Sequence, residues 1–235
     1  VNTTGTQNVA VGSNALDANT TGLRNTGIGA DSLTNNTTGE SNVAVGRDAM
    51  FHNSTGSNNT AVGRDALQNN STASNNTAVG KSALEENTTG TQNTAVGTFA
   101  SNTNSTGTGN TVVGYAAMFL NTTGDQNTAV GRNALNNNSN ASNNTAVGYE
   151  ALNANTTGAS NVAVGSFALD ANTTANSNTA IGHVALTQNS TGAFNTALGS
   201  GSLSANTTAS NNTAIGYEAM DKNTTGTDNV AVGAF

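Results

Sequence analysis

The chain has 235 residues and a net charge of −7, with 8% charged and 4% aromatic residues and no cysteine or proline. This composition excludes disulfide staples and thiolate metal sites, and argues against general nucleic-acid binding, which needs clustered Lys and Arg. No apolar run approaches the length of a membrane span.

Low charge with low hydrophobicity is the composition of a disordered tract, but here the apolar residues keep strict phase. A 17-residue unit, T-G-x-x-N-T-A-V-G-x-x-A-L-x-x-N-T, runs from Thr4 through 13 full copies, with partial copies at both ends. The chain opens in mid-repeat at Val1, as a processed or partial chain would. A fixed period of this length predicts a solenoid with one repeat per rung. No change of composition marks a boundary, so residues 1–235 read as a single domain.

Numbering each repeat from its opening Thr, the N-T-A-V-G segment alternates and is rich in β-formers, which predicts a strand over positions 4–8. Position 9 is Gly in every copy and supplies a corner or a positive φ. A second strand is expected near positions 11–14, and the N-T-T-G stretch forms the other turn. Positions 8 (Val, Ile or Leu) and 13 (Leu or Met, except Ser101) are expected to fill the core. The small Ala at position 7 would then face a neighbouring chain. Stacking at about 4.8 Å would make a rod of about 65 Å.

Position 5 is Asn throughout: Asn8, Asn25, Asn42, Asn59, Asn76, Asn93, Asn110, Asn127, Asn144, Asn161, Asn178, Asn195, Asn212 and Asn229. Position 16 is Asn throughout as well. Stacked amides of this kind form hydrogen-bonded ladders, so both columns read as structural. The position-16 column also matches the N-x-[ST] glycosylation acceptor in 13 of its 14 copies. Asn19, Asn87, Asn172 and Asn223 carry an acid two residues earlier and are the candidate glycosylation sites. Asn-Thr-Thr-Gly is equally good turn chemistry, and a laddered Asn could not carry a sugar.

Every charge, both histidines and all aromatics fall at positions 3, 4, 10, 11, 14 or 15. These form the variable exterior. His52 and His183 sit eight rungs apart, and Asp48 and Asp65 adjoin Arg47 and Arg64, which reads as a solvated charge patch. No enzyme activity, metal or cofactor is expected. The aromatics fall two to four rungs apart within each position, giving no continuous platform for sugars and pointing instead to a groove between chains. The paired threonines at positions 17 and 1 would face opposite ways, so they give no one-faced T-x-T array for ice.

The N-T-A-V-G and N-V-A-V-G units resemble the N-S-V-A-I-G motif of trimeric autotransporter adhesin heads. Asn144 to Leu152 (N-T-A-V-G-Y-E-A-L) and Asn155 to Gly158 (N-T-T-G) resemble repeats of phage and virus tail-fibre proteins. The resemblance spans the chain and implies an all-β, left-handed parallel β-solenoid (β-roll) of three chains on a cell or virion surface. It implies a structural segment of an extracellular fibre: a stiff rod, spacer or assembly unit that self-associates as a homotrimer or end to end. The alternative is an adhesin or receptor- or glycan-binding module using the variable exterior, with ice binding a third possibility.

Overall fold

A computed structural model describes residues 2–234. It is an all-β parallel solenoid of 17-residue rungs, with no helix among the described residues. The chain divides into two units, residues 1–123 and 124–235. The first holds β1 (Val9–Val11), β2 (Thr26–Ile28), β3 (Val43–Val45), β4 (Thr60–Val62), β5 (Thr77–Val79), β6 (Thr94–Val96) and β7 (Thr111–Val113). The second holds β8 (Thr128–Val130), β9 (Thr145–Val147), β10 (Val162–Val164), β11 (Thr179–Ile181), β12 (Thr196–Leu198), β13 (Thr213–Ile215) and β14 (Val230–Val232). Within each unit consecutive strands pair in parallel with a shift of one repeat, so that Thr60 pairs Thr77 and Ala61 pairs Ala78.

The strand covers only positions 6–8, less than the expected 4–8. Position 4 carries a left-handed φ, 61° at Gln7 and 63° at Asn75, which bends the chain before the ladder begins. The second expected strand is absent. Positions 10–15 form turns, with positive φ at position 11 (Asp65, 60°) and position 13 (Leu67, 51°), which no strand contains. Local bonds such as Ala66 N to Gly63 O and Asn70 N to Leu67 O close these turns. Stacking still satisfies the backbone: Leu67 N donates to Ala83 O of the next rung at 3.0 Å.

The expected core is corrected as well. Position 7 faces inward and position 8 faces out. Ala61, Ala78 and Ala95 are fully buried, whereas Val62 and Val96 are each 37% exposed. The interior is filled by Ala at position 7, Ala or Ser at position 12, and Leu or Met at position 13. It is too narrow for a row of valines. At Gly27, a position-7 residue, an added Cβ would lie 3.1 Å from Ser32 Oγ and 3.4 Å from Leu16 Cγ. Position 7 therefore packs directly on positions 12 and 13, and only Ala fits most rungs.

Position 9 requires glycine for two reasons. Gly63 has φ 135°, and an added Cβ would stand 2.5 Å from the carbonyl oxygen of Gly80 in the next rung.

Candidate functional site

Two surfaces follow from this rung: a sheet face made by positions 6 and 8, and a turn edge made by positions 10–15. The buried polar scaffold between them holds both in place.

The scaffold is a double asparagine ladder. At position 5, Asn59 Oδ1 accepts from the backbone N–H of Asn76 at 2.9 Å, and Asn59 Nδ2 donates to Ala73 O at 2.8 Å. At position 16, Asn53 Nδ2 donates to Asn36 Oδ1 at 2.9 Å and to Gly56 O at 3.0 Å. The two columns converge, because Gly56 O also accepts from Asn42 Nδ2 at 2.8 Å. Buried amides are costly without partners, and here each one bonds a neighbouring rung. A third column, position 17, ties Thr37 Oγ1 to Ser54 O at 3.0 Å.

The four candidate glycosylation residues lie in the position-16 ladder. Asn19, Asn87 and Asn172 are buried. Each spends both amide hydrogens: Asn87 Nδ2 donates to Asn70 Oδ1 and Gly90 O, and Asn172 Nδ2 to Asn155 Oδ1 and Ala175 O. Asn19 Nδ2 does the same with Asn2 Oδ1 and Gly22 O. Asn223 is more open, and donates to Asn206 Oδ1 and Gly226 O. A sugar on the nitrogen of the first three would require the rung to open.

The turn edge carries the charges. Arg47 pairs with Asp48 at 2.8 Å and Arg64 with Asp65 at 2.9 Å, both arginines well exposed. Glu85 and Glu86 accept from different rungs, Asn102 Nδ2 and Asn69 Nδ2 respectively. His52 stacks edge-on against Phe51, with ring centroids 4.6 Å apart. Among the described residues no cluster of three metal-ligating side chains occurs, and no helix is long and apolar enough to cross a membrane.

The aromatics are closer together than their spacing within single columns suggested. Phe99, at position 11, meets Tyr115, at position 10 of the next rung, with centroids 6.2 Å apart, and Phe119 at 6.3 Å. In the second unit Tyr149 meets Phe167 at 5.2 Å. Columns 10 and 11 adjoin across consecutive rungs, a relation visible in the sequence only by reading the two columns together. Lys81 lies 5.1 Å over Phe99, and Arg132 lies 5.8 Å over Tyr149. The Glu150 carboxylate, accepting from the Tyr149 hydroxyl, raises the phenol above its ordinary pKa.

The sheet face differs from the edge in kind. Position 6 is Thr in ten rungs and Val in four, and position 8 is Val, Ile or Leu in all fourteen. Alternation puts both on the outer side of the strand. No residue at positions 5–9 is charged in any rung. This T-x-V array lies on positions 6 and 8, away from the 17–1 threonine pair.

No family model, no curated protein and no solved structure matches this chain.

Proposed function

We propose that this chain is a structural segment of an extracellular or virion surface fibre, a stiff stack of rungs that self-associates, in the left-handed trimeric form of the adhesin heads and tail fibres it resembles. The observation that carries the reading is the division of the rung. The asparagine columns that bond one rung to the next are repeated in every copy, as in the Asn59–Asn76 and Asn36–Asn53 contacts, while most of the variation falls on the exterior. A sequence that preserves the ladder and lets the turn edge vary is selected for stacking. Cross-rung amide and backbone bonds along the stack resist bending and local opening, which suits a spacer.

A recognition role has one specific observation in its favour: the Phe99–Tyr115–Phe119 cluster beneath Lys81, whose rings could meet a sugar. Deletion and substitution in the parent fibre separate the two readings. Removing two whole repeats should shorten the fibre by about 10 Å and leave attachment intact. Loss of attachment on replacing Phe99 and Tyr115 by Ser, with fibre length unchanged, would make the segment a recognition module instead.

A further inference from the structure

We infer that the threonine column at position 1, on the N-T-T-G turn, is a modification column whose hydroxyls carry O-linked sugars along the outside of the stack.

Each turn holds three groups able to take a sugar, and the fold spends two of them. The position-16 amide is committed to the ladder, as at Asn36, whose Nδ2 donates to Asn19 Oδ1 and Gly39 O. The position-17 hydroxyl crosses to the next rung. Thr20 Oγ1 donates to Thr37 O, Thr37 Oγ1 to Ser54 O, and Ser54 Oγ to Ser71 O, each at 3.0 Å. Position 1 differs from both. The residue there is exposed in every rung, and the hydroxyls of Thr21, Thr38, Thr55 and Thr72 make no hydrogen bond among the described residues.

The choice of residue at position 1 is stricter than the fold requires. It is Thr in 13 of 14 copies, with Asn140 the exception. Where the fold needs a hydroxyl, at position 17, Ser replaces Thr in five copies. Where it needs a β-branched strand residue, at position 6, Val replaces Thr in four. Position 1 takes neither substitute, so hydroxyl and β-methyl are kept together on an exposed side chain with no bond to make. An O-linked sugar uses both. The hydroxyl is the point of attachment, and the branched Cβ, stiff at χ1, fixes the direction in which the sugar leaves the turn.

Charge selects a neutral group over phosphate. A phosphorylated column would set about two negative charges at every 4.8 Å step, on a chain already at −7 and well inside the screening length. A neutral sugar adds no repulsion. It also supplies the hydration that a surface with only 8% charged residues lacks. The step is a transfer from a nucleotide-activated sugar by a separate transferase. Thr Oγ1 bonds to the anomeric carbon, the bond from that carbon to the diphosphate breaks, and the nucleoside diphosphate leaves with the electron pair. The hydroxyl proton passes to a base of the transferase.

The test uses the chain isolated from the cells that produce it. After denaturation, trypsin cuts behind Arg24, Arg47, Arg64 and Lys81, which places Thr38, Thr55 and Thr72 on three separate peptides. Mass spectrometry with electron-transfer fragmentation is expected to find a hexose or N-acetylhexosamine increment on each of these threonines, lost on alkaline β-elimination. Thr38→Val/Thr55→Val, expressed in the same cells, is expected to lose the increment from two peptides and keep it at Thr72, with circular dichroism and melting unchanged. Three bare peptides would overturn the inference. So would sugar found instead on Thr37, Ser54 or Ser71, sugar on the position-16 asparagines, or phosphate at position 1.

Discussion

Ala61 and Val62 are neighbours in β4, yet the smaller side chain is sealed inside and the larger is 37% exposed. The inversion follows from the thickness of the rung, since a Cβ at position 7 sits close against positions 12 and 13, at 3.1 and 3.4 Å for Gly27. Ala61→Leu should therefore destabilise the protein by about 1–3 kcal/mol through overpacking. Chemical denaturation followed by circular dichroism measures it, and a neutral result would mean that the interior has room to spare.

The asparagine ladder yields a second expectation. Asn87→Ala removes the donor to Asn70 Oδ1 and the acceptor of Asn104 Nδ2, both inside the first unit. The loss should be about 2–4 kcal/mol from unsatisfied groups and the void. Hydrogen exchange at the rungs flanking Asn87 should rise first, because a repeat stack opens locally.

Ser101 is the odd residue of the leucine column. It is 1% exposed, and its Oγ is the sole buried side-chain polar atom without a hydrogen-bond partner among the described residues. The repeat register supplies part of the reason for its presence. Val112 lies one rung on, at the place equivalent to Gly27, so Ser101 stands where Leu16 stands against Gly27. The larger Val at position 7 offsets the smaller Ser at position 13. Ser101→Leu alone should crowd Val112, whereas Ser101→Leu/Val112→Ala restores the consensus pair. A double-mutant cycle in thermal melts should show favourable coupling of about 0.5–3 kcal/mol. Simple additivity would dissolve the pairing.

Asp170 provides a pH test. Burial raises its carboxyl pKa above the ordinary value, against the lowering effect of the Thr187 hydroxyl that donates to it. The folded pKa thus exceeds the unfolded one, so the contribution of this group is most favourable below the unfolded carboxylate pKa and declines as pH rises through the folded value. Asp170→Asn should be the more stable protein at neutral pH, with the difference closing in acid. A gap that widened in acid would reverse the assignment.

The period, the solenoid and the asparagine ladder were legible in the sequence because each repeats at every rung. The conformation inside the rung was less so. Positive φ at Leu67 and Leu84 costs an L-residue roughly 1–2 kcal/mol, and nothing in a leucine announces it. Position 11 did offer a signal, since Asn14, Asp31, Asp48 and Asp65 are types that tolerate left-handed backbone. Ranking Val above Ala for the interior points the strand the wrong way, because Ala61 is buried and Val62 faces out. Hydrophobicity alone does not tell which face of a short strand points into the core. The aromatic pairs were missed because adjacency across rungs joins different columns, as Phe99 and Tyr115 show.

The most direct test of the account is the native mass of the unmodified chain by light scattering across a dilution series. Self-association in the trimeric form predicts three times 23.2 kDa, falling toward one chain only at high dilution. A single species of one chain mass at every concentration would contradict it.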